Sequence, residues 1–316
     1  MYKIKISSYT DIGDVKTTNQ DCILSKNATI NNHNVGLFIV ADGCGGLAYG
    51  EEISNLVVTH FSRVWNNELK GILLNKKIRH KTIDDLLEKA IKEINDAAKN
   101  FGGQVGSKVG STISLLLTID KNYYIKNVGD SRVYLIRKNK ITQLTEDQSL
   151  VADMIRNGEL TKEEAKSFKK KNVLTMCIGV FDDIRTYSKT GKIKDNDVFL
   201  LCCDGLHNHV SGEEMVKIVR EKKIPFDDKA KALREKIEEG KANDNVSGII
   251  CEYEREKHTI RNIILITLLI MLIGVSIWTA ISWEHICEHW ECFKSMHGNW
   301  CSICNKYIES VSVIES

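Results

Sequence analysis

The stretch Phe38-Ile-Val-Ala-Asp42-Gly-Cys-Gly-Gly46 is an apolar run that ends in an aspartate followed at once by glycine. The stretch Phe199-Leu-Leu-Cys-Cys-Asp204-Gly-Leu206 repeats this arrangement far along the chain. Two more aspartates border apolar runs, because Asp21 precedes Cys-Ile-Leu and Asp244 lies shortly before Val246-Ser-Gly-Ile-Ile-Cys251. Short apolar runs that are bounded by glycine and polar residues are typical of buried strands. We therefore expect four carboxylates at the ends of strands.

These four carboxylates predict a metal site. A buried strand end is an unfavourable place for a lone carboxylate, and several together require positive charge between them. Oxygen ligands without histidine suit Mg²⁺ or Mn²⁺, and glycine after the aspartate leaves the backbone carbonyl free to coordinate. One Asp-Gly pair usually marks only a turn, but four carboxylates with this flanking favour a shared function.

The pattern over the first 253 residues predicts an α+β layered domain. Several predicted strands follow one another with short gaps, which favours antiparallel pairing over βαβ crossovers. The predicted strands are Lys3–Tyr9, Val35–Ala41, Thr112–Thr118, Tyr123–Val128, Arg132–Arg137, Val198–Cys203 and Val246–Tyr253. The predicted helices are Glu51–Asn66, Ile83–Phe101, Leu150–Gly158, Thr161–Phe168, Ser211–Glu221 and Asp227–Glu239.

Eight segments in chain order resemble the motifs of the type-2C metal-dependent protein phosphatases. A single Asp-Gly motif is weak, but eight in order over more than 200 residues are specific. They are Asp11-Ile-Gly with Lys16-Thr-Thr-Asn-Gln-Asp21, Val40-Ala-Asp-Gly-Cys-Gly-Gly46, Gly110-Ser-Thr112, Val128-Gly-Asp-Ser-Arg132, Leu144-Thr-Glu-Asp-Gln-Ser149, Leu174-Thr-Met-Cys-Ile-Gly179, Leu200-Leu-Cys-Cys-Asp-Gly-Leu206 and Asn243-Asp-Asn-Val-Ser247.

The resemblance implies a fold and a set of metal ligands. The family fold is a sandwich of two antiparallel β-sheets flanked by helices, with the metals at one edge. The family uses two Mn²⁺ or Mg²⁺ ions, and many members have a weaker third site. By this resemblance Asp42 would bridge two ions, with the carbonyl of Gly43 on one of them, while Asp204 and Asp244 would hold the other.

The remaining implied roles concern the third ion and the substrate. Asp21 would act directly or through a bound water, and Asp130 would belong to the third site. The metals would generate a hydroxide that hydrolyses phosphoserine or phosphothreonine on proteins. We predict Asp42 and Lys16 as the catalytic residues, with Lys16 binding the substrate phosphate. Phosphoproteins, the products of a serine/threonine kinase, are the partners that the family implies.

Three positions depart from the family pattern. Lys16 and Met176 stand where arginine is usual, and Gln148 stands where histidine is usual. Lysine keeps the positive charge but not the bidentate fork of arginine, so substrate affinity is expected to fall. The alternative function is a membrane-tethered pseudophosphatase that binds phosphoproteins without turnover. A metal-dependent phosphodiesterase is a further alternative, but the sequence lacks the His/Asp clusters that most such sites use.

Residues 263–283 contain no charged residue and predict one transmembrane helix over 262–283. A bilayer core requires about 20 apolar residues in a helix. A long buried core helix is the alternative. Arg255, Lys257 and Arg261 form a basic linker, 255–261, so the positive-inside rule places the catalytic domain, 1–254, in the cytoplasm. The N-terminus has no long apolar stretch typical of a signal peptide, which agrees with that orientation.

A Cys/His-rich tail, 284–316, follows the predicted membrane segment and would be extracytoplasmic. The tail holds Cys287, Cys292, Cys301 and Cys304, with His285, His289 and His297. Two disulfides are favoured slightly over a zinc site, because thiols outside the cytoplasm tend to oxidise, and free thiols remain possible. The first 251 residues hold six scattered cysteines, which fits buried thiols in a reducing compartment. The net charge of +2 argues against a nucleic-acid partner.

Overall fold

The computed structural model describes residues 2–75, 78–165, 168, 173–256 and 258–296. The chain forms a compact unit, Met1–Arg255, and a second unit, Glu256–Ser316. The first unit contains the segments that resemble phosphatase motifs. The second unit contains the predicted membrane segment and the tail.

Ten strands of the first unit form two antiparallel sheets. The strands are β1 (Tyr2–Asp11), β2 (Asp21–Ile30), β3 (His33–Asp42), β4 (Ile113–Ile119), β5 (Asn122–Val128), β6 (Arg132–Arg137), β7 (Lys140–Gln143), β8 (Tyr187–Lys192), β9 (Asp197–Cys202) and β10 (Val246–Arg255). Sheet 1 has the order β1-β10-β9-β6-β7, and sheet 2 has the order β2-β3-β4-β5-β8. This architecture confirms the predicted sandwich.

Nine α-helices are described, eight of them in the first unit. They are α1 (Gly50–Val64), α2 (Lys70–Leu73), α3 (His80–Val105), α4 (Leu150–Arg156), α5 (Lys162–Ala165), α6 (Asp204–His207), α7 (Gly212–Arg220), α8 (Lys229–Arg234) and α9 (His258–Met296). A π-helical turn, Trp65–Leu69, joins α1 to α2, and a 3₁₀ turn, Phe226–Asp228, precedes α8.

Strand β3 shows why the apolar run before Asp42 is continuous. Phe38 and Val40 belong to the core between the two sheets, together with Phe199 and Tyr253 of sheet 1. The alternate residues, such as Leu37, pack with α1 and α3 on the other face of sheet 2. Side chains alternate across a strand, so a strand that is covered on both faces is apolar at every position. Asp42 is the last residue of this strand, so the buried strand determines its position.

Three strands, β2, β7 and β8, are missing from the predicted list, although a strand was expected at Asp21, and all three lie at sheet edges. Strand β2 alternates partly buried and exposed residues, and β8 has the polar sequence Tyr-Ser-Lys-Thr-Gly-Lys. Strand β7 has only four residues. Edge strands are held by backbone pairing with one neighbour and need no long apolar run. The apolar pattern alone therefore could not identify them.

Helix ends were predicted less accurately than helix positions. The capping box of Ser211 and Glu214 begins α7 as predicted. The helix predicted over Thr161–Phe168 is described only over Lys162–Ala165, and the helix predicted over Asp227–Glu239 is a 3₁₀ turn followed by α8, which ends at Arg234. Polar residues in these surface segments carry too weak a periodicity to mark the last turn.

The second unit contains α9, which includes the predicted segment 262–283. Asn262–Glu284 has a mean hydropathy of 2.6 and buries none of its most apolar stretch inside the protein, so this one helix is long and apolar enough to cross a membrane. The helix continues to Met296. The side chains at 285–296 and all of 297–316 lie outside the described residues. The alternatives for the tail cysteines therefore stay open.

Candidate metal centre and active site

The first part of the site lies where β2 begins and β3 ends. These strands are antiparallel, so the start of one is adjacent to the end of the other. Asp21 and Asp42 are direct partners in the register. Pairing continues for one more step, because the backbone N–H of Gly43 donates to the carbonyl of Gln20 at 3.1 Å. This places the two carboxylates side by side at one edge of sheet 2.

Sheet 1 supplies two more carboxylates from adjacent strands. Asp204 is the first residue of α6, two residues beyond the end of β9, and Asp244 lies two residues before the start of β10. Strands β9 and β10 are antiparallel neighbours, so the end of one meets the beginning of the other. Gly205 is required here because a Cβ at this position would lie 2.0 Å from the carbonyl oxygen of Asn245. The glycine after Asp204 allows this close approach of two loops.

Asp130 lies in the turn between β5 and β6. Gly129, which precedes it, has a φ of +103°, and a Cβ there would lie 2.6 Å from the methyl carbon of Thr112. Thr112 in turn accepts a hydrogen bond from the backbone N–H of Asp42 at 3.0 Å. His207 approaches the carbonyl of Asp130 through Nε2 at 3.1 Å. These contacts attach the Asp130 turn to both sheets.

Five of the predicted site residues line one open cavity of about 550 Å³. They are Lys16, Asp42, Asp130, Asp204 and Asp244. Asp21 does not line the cavity and is only 5% exposed, but its carboxylate lies within 4.8 Å of that of Asp42. Gly43 lies next to Asp42 and leaves no space for a side chain, because a Cβ would meet the backbone of Gly50 at 2.6 Å.

The clustered charges change the pKa of several of these carboxyls. Burial and the nearby Asp21 and Asp204 raise the pKa of Asp42 well above its usual range. Burial, with the charge of Asp204, raises the pKa of Asp130 to about 8. Burial raises the pKa of Asp21 to about 7; the nearby side chains of Ser247 and Cys203 act against this rise, and the charges of Asp204 and Asp244 add to it. Like charges in a poorly solvated site disfavour each other's ionised form.

The protein itself supplies little positive charge to this cluster. Among the described residues, the one ion pair to these five aspartates joins Lys16 Nζ to Asp244 Oδ1 at 2.8 Å. Both carboxylate oxygens of Asp21 are buried without a hydrogen-bond partner. A buried unpartnered carboxylate beside other carboxylates is the arrangement that a bound divalent cation would stabilise. The donor set therefore fits a metal centre of mainly oxygen ligands.

The two other departures from the family pattern have structural explanations here. The side-chain oxygen of Gln148 accepts from Gly129 N–H at 2.8 Å, and its amide donates to the carbonyl of Arg185 at 2.6 Å. Gln148 thus holds the turn that carries Asp130. Met176 is 9% exposed and belongs to the apolar core beside sheet 2. Neither residue offers a positive charge to the cavity.

Cys44, in the segment that follows Asp42, is a packing residue rather than a reactive thiol. Cys44 is buried, and its thiol lies beside that of Cys177. This contact and burial raise the pKa of Cys44 well above its usual value. A thiol with a raised pKa is a poor nucleophile at neutral pH.

Several residues at the site were not assigned a role from the sequence. Asn245 connects three loops: it accepts from Gln20 N–H at 2.9 Å and donates to the carbonyls of Ile12 and Thr18 at 2.8 and 3.0 Å. Lys108 lines the cavity. Asn245 lies within the family-like segment Asn243-Asp-Asn-Val-Ser247, so its position in the sequence could have identified it as a site residue. Lys108 and His207 had no sequence signal, since their roles depend on contacts with distant segments.

Comparison with known proteins identifies the class. The family model described as protein phosphatase 2C matches residues 14–241. The serine/threonine phosphatase stp of Listeria monocytogenes is 31% identical over 250 residues, which cover 77% of this chain and 93% of that protein. A Streptococcus agalactiae serine/threonine phosphatase structure has a TM-score of 0.70 at 28% identity, covering 79% of this chain and 99% of that one.

A third comparison concerns the fold alone. The catalytic domain of the serine/threonine protein phosphatase PstP, solved in complex with two manganese ions, has a TM-score of 0.67 at 23% identity. It covers 81% of this chain and 100% of that one. The two-sheet sandwich with acidic residues at one edge is thus the fold of a class of protein phosphatases. The chain belongs to the protein phosphatase 2C family and is a protein serine/threonine phosphatase.

Proposed function

We propose that this protein is a membrane-anchored phosphatase that hydrolyses phosphoserine and phosphothreonine on cytoplasmic proteins and depends on two Mn²⁺ or Mg²⁺ ions. The observation that carries the proposal is the convergence of five carboxylates on one edge, with the buried carboxylate of Asp21 left without a partner. The neutralising charge must come from outside the chain, since Lys16 alone forms an ion pair with them in the described part.

The ligands follow from the positions of these side chains. Asp42 would bridge the ions, with the carbonyl of Gly43 on one and Asp204 and Asp244 on the other. Asp21 would act directly or through water, and Asp130 would serve a third, weaker ion. Divalent cations, when bound, lower the pKa of water and offset negative charge on a phosphoryl group. The manganese ions in the PstP catalytic domain support two ions of this type.

Lys16 is proposed to hold the substrate phosphate. Its ammonium lies at the cavity and donates to Asp244 at 2.8 Å. Partial burial acts to lower the pKa of Lys16, but the hydrogen bond to Asp244 and the nearby carboxylate charges together outweigh it, and the pKa is raised. The side chain therefore stays charged. An ammonium binds phosphate as a point charge with three donors and lacks the fixed geometry of a guanidinium. Lys16 would therefore contribute binding with less orientation than arginine.

Turnover is favoured over the pseudophosphatase alternative because all the implied metal ligands are present and converge. The test is manganese-dependent release of phosphate from a phosphothreonine peptide by the purified full chain in detergent. The matched control is Asp42→Asn, prepared in the same way. Release by the unsubstituted chain and none by the control supports the proposal. Peptide binding without release in manganese would support the pseudophosphatase.

Membrane anchoring is proposed from the surface of α9. Its described side chains over 262–281 are exposed, and they are mostly large apolar residues on every side of the helix. Three hydroxyls in the helix donate to carbonyls of the preceding turn: Thr267 to Ile263 at 2.6 Å, Ser276 to Leu272 at 2.9 Å and Thr279 to Ser276 at 2.9 Å. In a lipid environment, hydroxyl groups need hydrogen-bond partners within the protein, because the lipid offers none.

Orientation in the membrane is proposed from charge. Arg255, Lys257 and Arg261 precede the apolar segment, so the catalytic unit would be cytoplasmic and the tail extracytoplasmic. A membrane-impermeant maleimide tests this, because five of the six cysteines of the catalytic unit are buried and Cys22 is half-buried. Intact cells should label the tail cysteines after reductant, and serine at all four tail positions should remove the label. Labelling only after lysis would reverse the topology.

A further inference from the structure

The edge of the sandwich opposite the acidic cluster is where the catalytic unit continues into the basic linker. Strand β1 begins there and β10 ends there, because Tyr2 and Arg255 are partners in the antiparallel register. The ten residues of β10 separate this edge from the acidic cluster, since Asp244 lies two residues before Val246. At about 3.3 Å per residue, the two edges are about 30 Å apart. A ligand bound at the linker end of the sandwich would therefore leave the catalytic cavity open.

The ends of both sheets contribute to this edge. The connection from β8 of sheet 2 to β9 of sheet 1 crosses there. Ile193 N–H donates to the carbonyl of Lys121 at 2.8 Å, and the hydroxyl of Tyr2 donates to the carbonyl of Ile193 at 3.2 Å. Arg137 Nη2 donates to the carbonyl of Lys192 at 3.1 Å. These contacts hold strand ends from the two sheets together in one surface.

Six exposed lysines lie on this surface, which we call the basic edge. They are Lys3, Lys121, Lys138, Lys140, Lys192 and Lys194. Among the described residues no ion pair involves any of the six, and Lys192 donates to the neutral side chain of Asn122 at 2.6 Å. Lys138 has a φ of +56°, a conformation that glycine and asparagine adopt more readily. The fold therefore leaves these six charges available to a partner.

Four acidic residues at the same edge have partners inside the protein. The partners are Arg137 for Asp197, His33 for Asp120, Lys5 for Glu254 and the backbone N–H of Arg255 for Asp195. A carboxylate that is already paired offers little further attraction to an exposed lysine. The linker continues the positive charge, because Arg255, Lys257 and Arg261 outnumber Glu256. The edge thus presents an excess of positive charge to solvent.

The covalent tether keeps this edge near a bilayer when the chain is anchored. Arg255 ends β10, and the apolar segment Asn262–Glu284 begins seven residues later. Seven residues of extended chain cover at most about 25 Å, so the basic edge cannot move far from the membrane surface. The cytoplasmic leaflet contains anionic phospholipids, and its potential attracts lysines within about 10 Å. The phospholipid head groups are therefore the anionic surface that these lysines meet first.

We propose that the basic edge binds the anionic head groups of the cytoplasmic leaflet and orients the catalytic cavity away from the membrane. The inference rests on the proposed membrane anchoring, and it adds a surface and a partner that catalysis does not use. Lysines suit this role, because a flexible stem lets each ammonium reach a phosphate group without a fixed geometry. The contact is electrostatic, so it should weaken as the salt concentration rises.

Lysine labelling on nanodiscs tests this surface without any substitution. The full chain is reconstituted in phosphatidylcholine alone or mixed equally with phosphatidylglycerol. Its amines are then methylated with formaldehyde and an uncharged borane reductant, and mass spectrometry gives the rate at each lysine. The six lysines of the basic edge should react about fivefold more slowly on the anionic discs, the factor expected for one charge near an anionic surface. High salt should remove the difference.

Exposed lysines on the helices are the internal control, and their rates should be the same in both lipids. They are Lys70, Lys81, Lys92 and Lys217. Equal rates at the six edge lysines in the two lipids would overturn the proposal. Slower reaction at the helix lysines alone would place the lipid contact on another face. If soluble polyglutamate protects the edge lysines and phosphatidylglycerol does not, the partner is an acidic protein and the proposal is wrong.

Two variants with the same change in charge test whether the lysines cause the contact. The edge variant carries Lys121→Gln, Lys138→Gln, Lys140→Gln and Lys194→Gln. The control variant carries Lys70→Gln, Lys81→Gln, Lys92→Gln and Lys217→Gln. Lys3 and Lys192 remain in both variants as reporters. Their protection on anionic discs should be lost in the edge variant and kept in the control, and protection that survives in the edge variant contradicts the proposal.

The same preparation separates this inference from the proposed function. A chain that stays in neutral discs and releases phosphate, but is labelled equally in the two lipids, refutes the surface and leaves the proposed function intact. A chain that is lost from neutral discs refutes the anchoring. Salt-sensitive slowing at the six lysines on anionic discs would still support the surface in that case.

Discussion

Strand β9 has one aspartate at its start and another just beyond its end, and the two aspartates have different surroundings. Asp197 is the first residue of the strand and is fully buried. Arg137 Nε and Nη2 donate to its two oxygens at 2.8 and 2.7 Å, and Lys194 N–H donates at 2.7 Å. Asp204, just beyond the other end, lies near four other carboxylates and has no arginine partner among the described residues.

The contrast distinguishes a structural carboxylate from one that is available to a ligand. Asp197 has its charge balanced by Arg137 and its oxygens occupied, so it has no capacity for a metal. At the other end, burial and the nearby Asp244 raise the pKa of Asp204. A carboxyl whose ionised form is disfavoured by burial and by like charges gains stabilisation when a cation binds. The same residue type on one strand thus serves two purposes.

The largest expected effect is a loss of catalysis when Asp42, a member of the acidic cluster around Asp204, is replaced. Asp42→Asn should lower kcat/KM in manganese by about a hundredfold or more, because it removes the charge proposed to bridge the ions. The variant should fold, since it removes one acid from a like-charge cluster. Phosphate release from a phosphothreonine peptide, with circular dichroism as the folding control, measures both effects. Near-normal turnover would refute the two-ion assignment.

At the other end of β9 the expected effect is on stability. Asp197→Ala should lower the free energy of unfolding by about 2–3 kcal/mol, because it leaves Arg137 and the N–H of Lys194 without their acceptor. Arg137 is partly exposed, which keeps the cost below that of a fully buried pair. Urea denaturation measures the loss, and turnover per folded molecule should be retained. If Asp197→Ala is as stable as the parent protein, the proposed difference between the Asp197 and Asp204 ends of β9 is wrong.

Removal of the metal should change the behaviour of the acidic cluster around Asp204 and leave the Asp197 ion pair unaffected. Manganese at about 100 times its dissociation constant should stabilise the parent protein by about 2.7 kcal/mol. The same stabilisation is expected for Asp197→Ala and little of it for Asp42→Asn. Thermal unfolding with and without manganese measures the difference, and EDTA should abolish both the stabilisation and the activity. Equal protection of the two variants would place the ions elsewhere.

The smallest expected effect concerns Lys16, which supplies the cationic charge at the acidic end. Lys16→Ala should raise KM about tenfold, as expected for loss of one charge-assisted contact with phosphate. Lys16→Arg should be neutral or better, because the guanidinium restores a bidentate geometry. Steady-state kinetics on a phosphopeptide separates KM from kcat. An unchanged KM in the alanine variant would show that Lys16 does not bind phosphate.

The ease of prediction differed between the strands that carry the site and those at the edges. Strands such as β3 and β9 are covered on both faces, so nearly every residue is apolar and the run is visible in the sequence. Strand β8 is bounded by one neighbour, β5, and has a polar sequence. Its position depends on backbone hydrogen bonds with a distant segment, and these leave no pattern in local composition.

The sequence by itself determined which acidic residues lie at the ends of apolar strands and that the segment after Arg261 is uncharged. Both features depend on the burial and charge of single residues, which local composition records. It could not determine how far each carboxylate lies from the others or which one lacks a partner. The antiparallel register decided that Asp21 lies opposite Asp42. The meeting of the two sheets brought the sulfur of Cys203 within 4.8 Å of both. The two distances from Cys203 join segments that are far apart in the sequence, so only the tertiary structure could decide them.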